Sequence, residues 1–241
     1  MKLLKHQNVV RLYDVYEQDE HIYLLMELCG GGSLYEHLVE KPFDEPLARY
    51  YFNKLIDGLA YCHEKVWEEN LPKTLQGVCH RDLRLENLLL DNYGNLKITD
   101  FGQARIFKKG WDLFSTQLVG SLYHLAPEQI NGVVYSGEKV DIWNAGIILF
   151  CFLTGTLPFC CTQDTIQKMF TQIKNADYKY PENCNVSDDA KKLISMILQP
   201  DPEKRPTLEQ IKKDKWTMGE QRTPTLMSHD VCCEWSNLII E

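Results

Sequence analysis

Two short apolar runs open the chain. Residues 9–16 and 21–28 are rich in β-branched, aromatic and aliphatic side chains, and the polar EQDE between them is typical of a turn. We therefore predict an antiparallel pair of strands. Glycines at 30–32 end the second run, and Ser33 is placed to cap a short helix that ends near Val39.

Helical spacing dominates the rest of the chain. Apolar residues recur every three or four positions across 46–63, which predicts an amphipathic helix. The sequence LLLDNYGNLKIT at 88–99 has turn-forming residues between two apolar runs and indicates a β-hairpin. Further helices, each bounded by Gly, Pro or Ser, are predicted at 139–154, 164–174, 187–198 and 207–214.

Strands at the front and helices behind indicate an α+β chain in which a sheet fragment leans on a helical body. The length of 241 residues allows one large domain or two small ones. The hairpin at 88–99 falls near the junction of the two layers, and clefts form at such junctions. Candidate chemistry is therefore sought around this hairpin.

Charge and cysteine content exclude several classes of protein. Lys and Arg total 26 against 34 acidic residues, and the net charge of −8 argues against a broad contact with nucleic acid or anionic lipid. The nine cysteines form no CxxC pair, which argues against a zinc knuckle or a disulfide framework. The N-terminal MKLLKHQNVVRLYDV is too charged for a signal peptide. We expect a cytoplasmic protein, the nucleus being the other option, that binds neither nucleic acid nor membrane.

One charge-free segment has to be weighed against the expectation that the protein does not enter a membrane. Residues 142–163 carry no charge and are long enough to cross a bilayer. They include Asn144, Gly146, Gly155 and Pro158, and the run stops soon after residue 154. These polar and helix-breaking residues favour a buried core helix of about 14 residues over a membrane span.

Oxygen-bearing side chains flank the central hairpin. Asp82 and Asn87 lie in VCHRDLRLENLLL at 78–90, and Asp100 lies in ITDFG at 98–102. A hairpin can bring its two ends together, and hard oxygen ligands of this kind suit magnesium. Each residue alone would be read as a turn cap or a solvated charge.

As a set, these motifs resemble the signature of the eukaryotic protein kinases. The resemblance covers residues 1–216 and is strongest to the calcium/calmodulin-dependent and AMP-activated branch. Ser121, in GSLYHLAPEQ, is typical of the serine/threonine class. The motif residues are His80, Arg81 and Asp82 (HRD), Asn87, Asp100, Phe101 and Gly102 (DFG), and Ala126, Pro127 and Glu128 (APE).

The resemblance implies a reaction, ATP-dependent phosphorylation of serine or threonine in a protein substrate. Asp82 would accept the proton of the substrate hydroxyl, and Asn87 and Asp100 would hold Mg²⁺ on the phosphates of ATP. Arg84 stands near the transferred phosphate, where serine/threonine kinases usually carry lysine, and its planar fork has a different geometry. The alternative is a non-catalytic, kinase-like interaction or regulatory module.

The resemblance also assigns binding residues for the nucleotide. Met26 to Cys29 would form the hinge, with the main chain of Glu27 and Cys29 meeting adenine and with Leu89 as the floor of the pocket. Met26 and Leu89 are equally at home in a hydrophobic core, because the pocket wall in this fold is core.

Other matched residues have structural or regulatory roles in the family. Glu128 and Arg205 would form a buried ion pair, and Asp141 would anchor the backbone of the catalytic loop. His80 and Phe101 are the structural members of their motifs. Arg81 would pair with a phosphate on the activation loop at 103–123, for which Thr116 is the candidate site against an unmodified loop.

Three positions depart from the family pattern besides Arg84. His124 stands where tyrosine is usual, and Gln103 stands where an apolar residue usually follows DFG. Ser33 replaces an acidic residue with which many relatives bind a substrate arginine, whereas Glu86 is retained.

The resemblance divides the chain into three parts. Residues 1–28 would be the end of a small lobe, 29–216 the complete helical lobe, and 217–241 a tail that is either a docking segment or a disordered end. The Gly-rich loop, the strand lysine and its partner glutamate would precede Met1, so we expect little activity from the chain as it stands. Residues 66–76 are surplus to the pattern and are read either as an unremoved in-frame intron or as a surface loop. The oligomeric state stays open.

Overall fold

A computed structural model of the protein describes residues 1–64, 77–107, 119–160 and 165–224. The suspected insertion at 66–76, Thr116 and the tail beyond 224 lie outside the described residues. In chain order the elements are β1 (Leu12–Gln18), β2 (His21–Met26), α1 (Leu34–Glu40), α2 (Glu45–Glu64), β3 (Gly77–Cys79), β4 (Leu88–Leu90), β5 (Leu96–Ile98), β6 (Arg105–Phe107), α3 (Pro127–Ile130), α4 (Gly137–Thr154), α5 (Ile166–Asn175), α6 (Asp188–Ile197) and α7 (Leu208–Lys212).

The strands form three antiparallel pairs, each of two strands, within the described part of the chain. The predicted front hairpin is confirmed as β1–β2, and the predicted hairpin at 88–99 is confirmed as β4–β5. The third pair, β3–β6, was not predicted and joins segments from either side of the central hairpin. The side chains of β1 and β2 are largely exposed on both faces, as the burial of each residue shows.

The helical body is built around α4. Nearly every residue of this helix is buried, and α2, β3 and α6 pack against it. No helix among the described residues is long and apolar enough to cross a membrane. The burial of α4 within the protein confirms the core-helix interpretation of residues 142–154, and the helix begins before the charge-free run, at Gly137.

Hydroxyl side chains set where several helices begin. Ser33 caps α1, as predicted: it accepts from the backbone N–H of Glu36 and forms a full capping box with that residue. Thr207 forms a capping box at α7 as well, whereas Ser187 caps α6 by accepting the N–H of Ala190. The helix predicted at 164–174 begins at Ile166, because Thr165 is its N-cap.

The chain beyond α7 stays against α2. The buried guanidinium of Arg49 donates to the carbonyls of Trp216 and Glu220 and lies 4.7 Å from the centre of the Trp216 ring. Asn53 Nδ2 donates to the carbonyl of Thr217 at 3.1 Å. The first residues of the predicted tail therefore belong to the packed body.

The contact between α4 and α6 depends on a missing side chain. A Cβ at Gly146 would lie 2.6 Å from Ile197 Cγ2 and 2.9 Å from Leu198 Cδ2. We predict that Gly146→Ala lowers the free energy of unfolding by about 1–3 kcal/mol, because the two helices must separate. Urea denaturation measures the change. Ser195→Ala, on the exposed side of α6, is the control and should change stability by less than about 0.5 kcal/mol.

Candidate functional site

Asp141, in the first turns of α4, fixes the loop at 80–87 that contains the HRD motif, called the catalytic loop below. Its Oδ2 accepts the backbone N–H of His80 at 2.8 Å, and its Oδ1 accepts that of Arg81 at 2.7 Å. His63 at the end of α2 donates from Nε2 to Oδ2 at 2.8 Å. The carboxylate is fully buried, so these charge-assisted hydrogen bonds are what compensates its lost hydration.

The anchored loop carries backbone strain. Arg81 has φ of 67°, a left-handed conformation that non-glycine residues rarely adopt. The two N–H donations to Asp141 hold this geometry, and strain of this kind is concentrated at functional sites. The side chain of Arg81 donates from Nε to the carbonyl of Gln103 at 2.7 Å, which ties the loop to the segment after DFG.

A ring of hydrogen bonds links the catalytic loop to the central hairpin. Asp82 N–H donates to His80 Nδ1 at 3.3 Å, and His80 Nε2 donates to the carbonyl of Thr99 at 2.8 Å. Thr99 N–H donates to the carbonyl of Asn87 at 3.0 Å, and Asn87 Nδ2 donates to the carbonyl of Asp82 at 2.8 Å. The ring keeps Asp82 and Asn87 beside the strand that leads into Asp100.

Asp82 and Asp100 are each oriented by a backbone N–H. Asp82 Oδ1 accepts from Ser121 at 3.0 Å, and a Cβ at Gly120, which has φ of 107°, would lie 3.0 Å from the carbonyl of Arg81. Only glycine therefore lets this segment approach the catalytic loop. Asp100 Oδ1 accepts from Gly102 at 3.2 Å.

Phe101 places the DFG segment against the catalytic loop. Its ring lies 4.8 Å from that of His80, between centroids, in an edge-on arrangement. Phe101 also packs against both clusters of the hydrophobic core. The two residues expected to be structural thus contact each other.

No hydrogen bond or ion pair joins Arg84 to Asp82 within the described part of the chain. It forms a two-pronged ion pair with Glu86, in which Nε lies 3.0 Å from Oε2 and Nη2 lies 3.0 Å from Oε1. Both side chains are about one-third exposed, at 33% and 40%. The guanidinium is therefore at the site but engaged with a neighbour.

The segment that follows the predicted hinge pairs with β4, the strand that contains Leu89, the predicted floor of the adenine pocket. The N–H of Gly31 donates to the carbonyl of Leu90, and Ser33 forms a bridge with Leu89, so the segment after the hinge runs beside the predicted floor. Met26 at the end of β2 is exposed. Burial, with a smaller contribution from Glu27, raises the pKa of the Cys29 thiol to about 11, so it is uncharged at neutral pH.

The side chain of Glu27 joins the hinge to β5. Glu27 Oε1 lies 2.5 Å from Lys97 Nζ, and Oε2 accepts the N–H of Arg11 at 3.1 Å. Lys97 is buried, so its charge is compensated by this carboxylate. Only a main-chain role was predicted for Glu27, and Lys97 was not predicted as its partner, because nothing in the local sequence marks this contact.

Glu128 and Arg205 join α3 to the segment before α7. Arg205 donates from Nη1 and Nη2 to the two carboxylate oxygens of Glu128, each at 2.7 Å, and both side chains are buried. Arg205 also donates to the carbonyls of Gln199 and Lys139. Its guanidinium lies 4.9 Å from the centre of the Trp143 ring on α4. This pair fixes the far end of the segment that contacts Asp82.

Sequence reasoning also missed Gln129, which supports the same segment. Its Oε1 accepts the N–H of Ala126 at 2.9 Å, and its Nε2 donates to the carbonyl of Val119 at 3.0 Å. Asn144 on α4 donates to the carbonyl of His124 at 2.5 Å. A polar residue three positions after Ala126 was the available signal for the first of these contacts.

His124, noted as a departure from the family pattern, is buried among these residues. Neither ring nitrogen has a hydrogen-bond partner among the described residues. Burial lowers the pKa of His124 from 6.5 to about 4, with Glu86 raising it and Arg84 lowering it by smaller amounts. The imidazole is therefore neutral at physiological pH.

Comparison with known proteins identifies one family. The model of the protein kinase domain matches residues 1–217. CBL-interacting serine/threonine-protein kinase 8 of Arabidopsis thaliana is 38% identical over 95% of this chain, which covers 48% of that protein. Serine/threonine-protein kinase GIN4 of Saccharomyces cerevisiae is 40% identical over 85% of this chain, which covers 17% of that protein. The chain thus spans at most about half the length of these relatives.

Loss of the Asp141 charge should loosen the catalytic loop. Asp141→Asn places an NH₂ group where N–H donors now point, and we predict a loss of roughly 3 kcal/mol in the free energy of unfolding. Chemical denaturation measures it. Asp57→Asn is the matched control, because its ion pair with Lys212 is partly exposed and should contribute at most about 1 kcal/mol. Equal losses in both variants would contradict the anchoring role.

Burial of neutral His124 makes stability depend on pH. The unfolded chain binds a proton near pH 6.5 and the folded chain only near pH 4, so stability falls as the pH drops through this window. Between pH 7.5 and 5, we predict that the wild type loses about 2 kcal/mol more than His124→Tyr. Urea titrations at the two pH values measure this difference. Parallel losses would show that His124 does not titrate in this window.

Proposed function

The chain belongs to the protein kinase family, and from that premise we propose that it catalyses ATP-dependent phosphorylation of serine and threonine hydroxyls in proteins. The observation that carries the proposal is the hydrogen-bonded ring of His80, Asp82, Asn87 and Thr99, to which Asp100 is directly connected. It gathers one acceptor of a proton and two oxygen ligands into a single anchored unit. The serine/threonine names of the relatives support this class of acceptor.

The residues around the ring fit a metal–nucleotide complex. Asn87 uses its Nδ2 to hold Asp82, which leaves its amide oxygen as a ligand, and Asp100 has a second carboxylate oxygen beyond the one that accepts from Gly102. Hard oxygen donors of this kind suit Mg²⁺, which, when bound, neutralises charge on the phosphates of ATP. The main chain at Glu27 and Cys29, with Leu89, would hold adenine.

In this proposal Asp82 accepts the proton of the acceptor hydroxyl. Its backbone is fixed on both sides, by His80 and by Asn87, and Ser121 N–H orients its carboxylate. Phosphoryl transfer requires the protein mainly to position the nucleophile and to compensate charge, so rigid placement is the main contribution of this loop. We also propose the cytosol or nucleus as its location, in keeping with the cysteine pattern.

A phosphorylation assay tests the proposal. The purified chain and the full-length product of its transcript are incubated with radiolabelled ATP, Mg²⁺ and peptides that carry serine, threonine or tyrosine. We expect label on serine and threonine, and a loss of roughly 10²–10⁴-fold in Asp82→Asn.

Asp57→Asn serves as the control variant, since Asp57 pairs with Lys212 away from the loop. Labelling that is unchanged by Asp82→Asn, or labelling of tyrosine alone, would contradict the proposal. Absence of Asp82-dependent labelling in both proteins would favour the non-catalytic interaction module.

A further inference from the structure

The Arg84–Glu86 pair lies in the catalytic loop, close in sequence to Asp82, the proposed proton acceptor. Arg84 lies two residues after Asp82, and Glu86 immediately precedes Asn87. Both side chains remain partly exposed, at 33% and 40%, although Leu85 between them is buried. A peptide whose hydroxyl reaches Asp82 therefore has its neighbouring side chains within reach of this pair.

The geometry of the pair leaves Glu86 little capacity for another cation. Both carboxylate oxygens face the guanidinium fork, each at 3.0 Å from a nitrogen. Parallel N–H···O contacts of this kind are stronger than a single-point contact and fix the relative orientation of the two groups. A basic side chain of a substrate would have to displace Arg84 to gain the same contact.

His124 supplies no additional charge here. It is close enough for Arg84 and Glu86 both to influence its pKa, yet burial keeps it neutral. Since its nitrogens have no hydrogen-bond partner among the described residues, it does not hold Glu86 in place of Arg84. Arg84 is thus the group that compensates Glu86.

We propose that Arg84 masks Glu86 and so removes a preference for basic residues beside the acceptor hydroxyl, which makes Arg84 a specificity-determining residue. The inference rests on the proposed function, because a preference at Glu86 affects substrate choice only if a peptide binds with its hydroxyl at Asp82. The masking itself is a property of charge and geometry. Removing the guanidinium exposes a carboxylate that binds arginine or lysine.

Peptide binding without nucleotide tests the masking separately from catalysis. The probes are fluorescent nine-residue peptides with a central serine, alanine elsewhere, and one arginine moved through the three positions on either side. Fluorescence anisotropy gives each dissociation constant relative to the all-alanine peptide. For the wild type we expect ratios near one at every position.

In Arg84→Ala, at least one arginine position should bind about fivefold more tightly than the all-alanine peptide. Arg84→Lys should give an intermediate ratio, because an ammonium makes one point contact rather than a fork. The double variant Arg84→Ala/Glu86→Gln should return the ratio to one. The gain should shrink between 0.05 and 0.5 M salt, since the contact is partly exposed.

Arg222→Ala is the matched control, because it also removes an arginine from an exposed ion pair. Its partner is Asp44, which immediately precedes α2. Thermal melting checks that each variant is folded, and Arg84→Gln replaces Arg84→Ala if the alanine variant is not. A ratio near one in the folded Arg84 variants, including no measurable binding of any arginine peptide, overturns the proposal. So does an equal gain in Arg222→Ala.

The two proposals fail in different ways. A fivefold gain in Arg84→Ala without any Asp82-dependent phosphorylation would support the masked carboxylate but contradict the kinase activity. Phosphorylation with no change in arginine preference would support the activity and overturn the masking.

Discussion

The buried carboxylate of Asp141 is the constraint on which the site depends. It lies on α4, the helix that the rest of the core encloses, so its position is set by packing. Two backbone N–H groups of the catalytic loop donate to this carboxylate, so the loop is fixed relative to α4. The same hydrogen bonds hold Arg81 in a left-handed conformation that a non-glycine residue rarely adopts. The positions of the polar side chains of the loop are thus set by the packing of α4 in the hydrophobic core.

Buried charges join parts of the chain that are distant in sequence. Glu128 and Arg205 are 77 residues apart, and Glu27 and Lys97 are 70 residues apart. Each pair places a full charge where hydration is lost, so a single partner would be strongly unfavourable and the two must come together on folding. The pairs therefore specify how segments are arranged more than they add to stability.

Local signals predicted much of the fold. The hairpins β1–β2 and β4–β5 and the helices α1, α2 and α4 follow from periodicity, turn residues and caps that act within a few positions. The β3–β6 pair was missed, because each strand has only three residues and its partner lies on the far side of the β4–β5 hairpin in sequence. The same limit applied to the site: motifs gave Asp82, Asn87 and Asp100, whereas His63 and Lys97 act only through contacts made in three dimensions. The roles assigned from the resemblance stay predictions.

The hairpin β1–β2 has a consequence for how the chain behaves in solution. It is a two-stranded ribbon, and no third strand pairs with it among the described residues. Ile22, Tyr23 and Leu25 remain at least half exposed along its length. Open backbone edges beside apolar side chains are where copies of a protein add strand to strand. The ribbon therefore combines the two features that such strand-to-strand association requires, in a chain whose net charge is otherwise acidic.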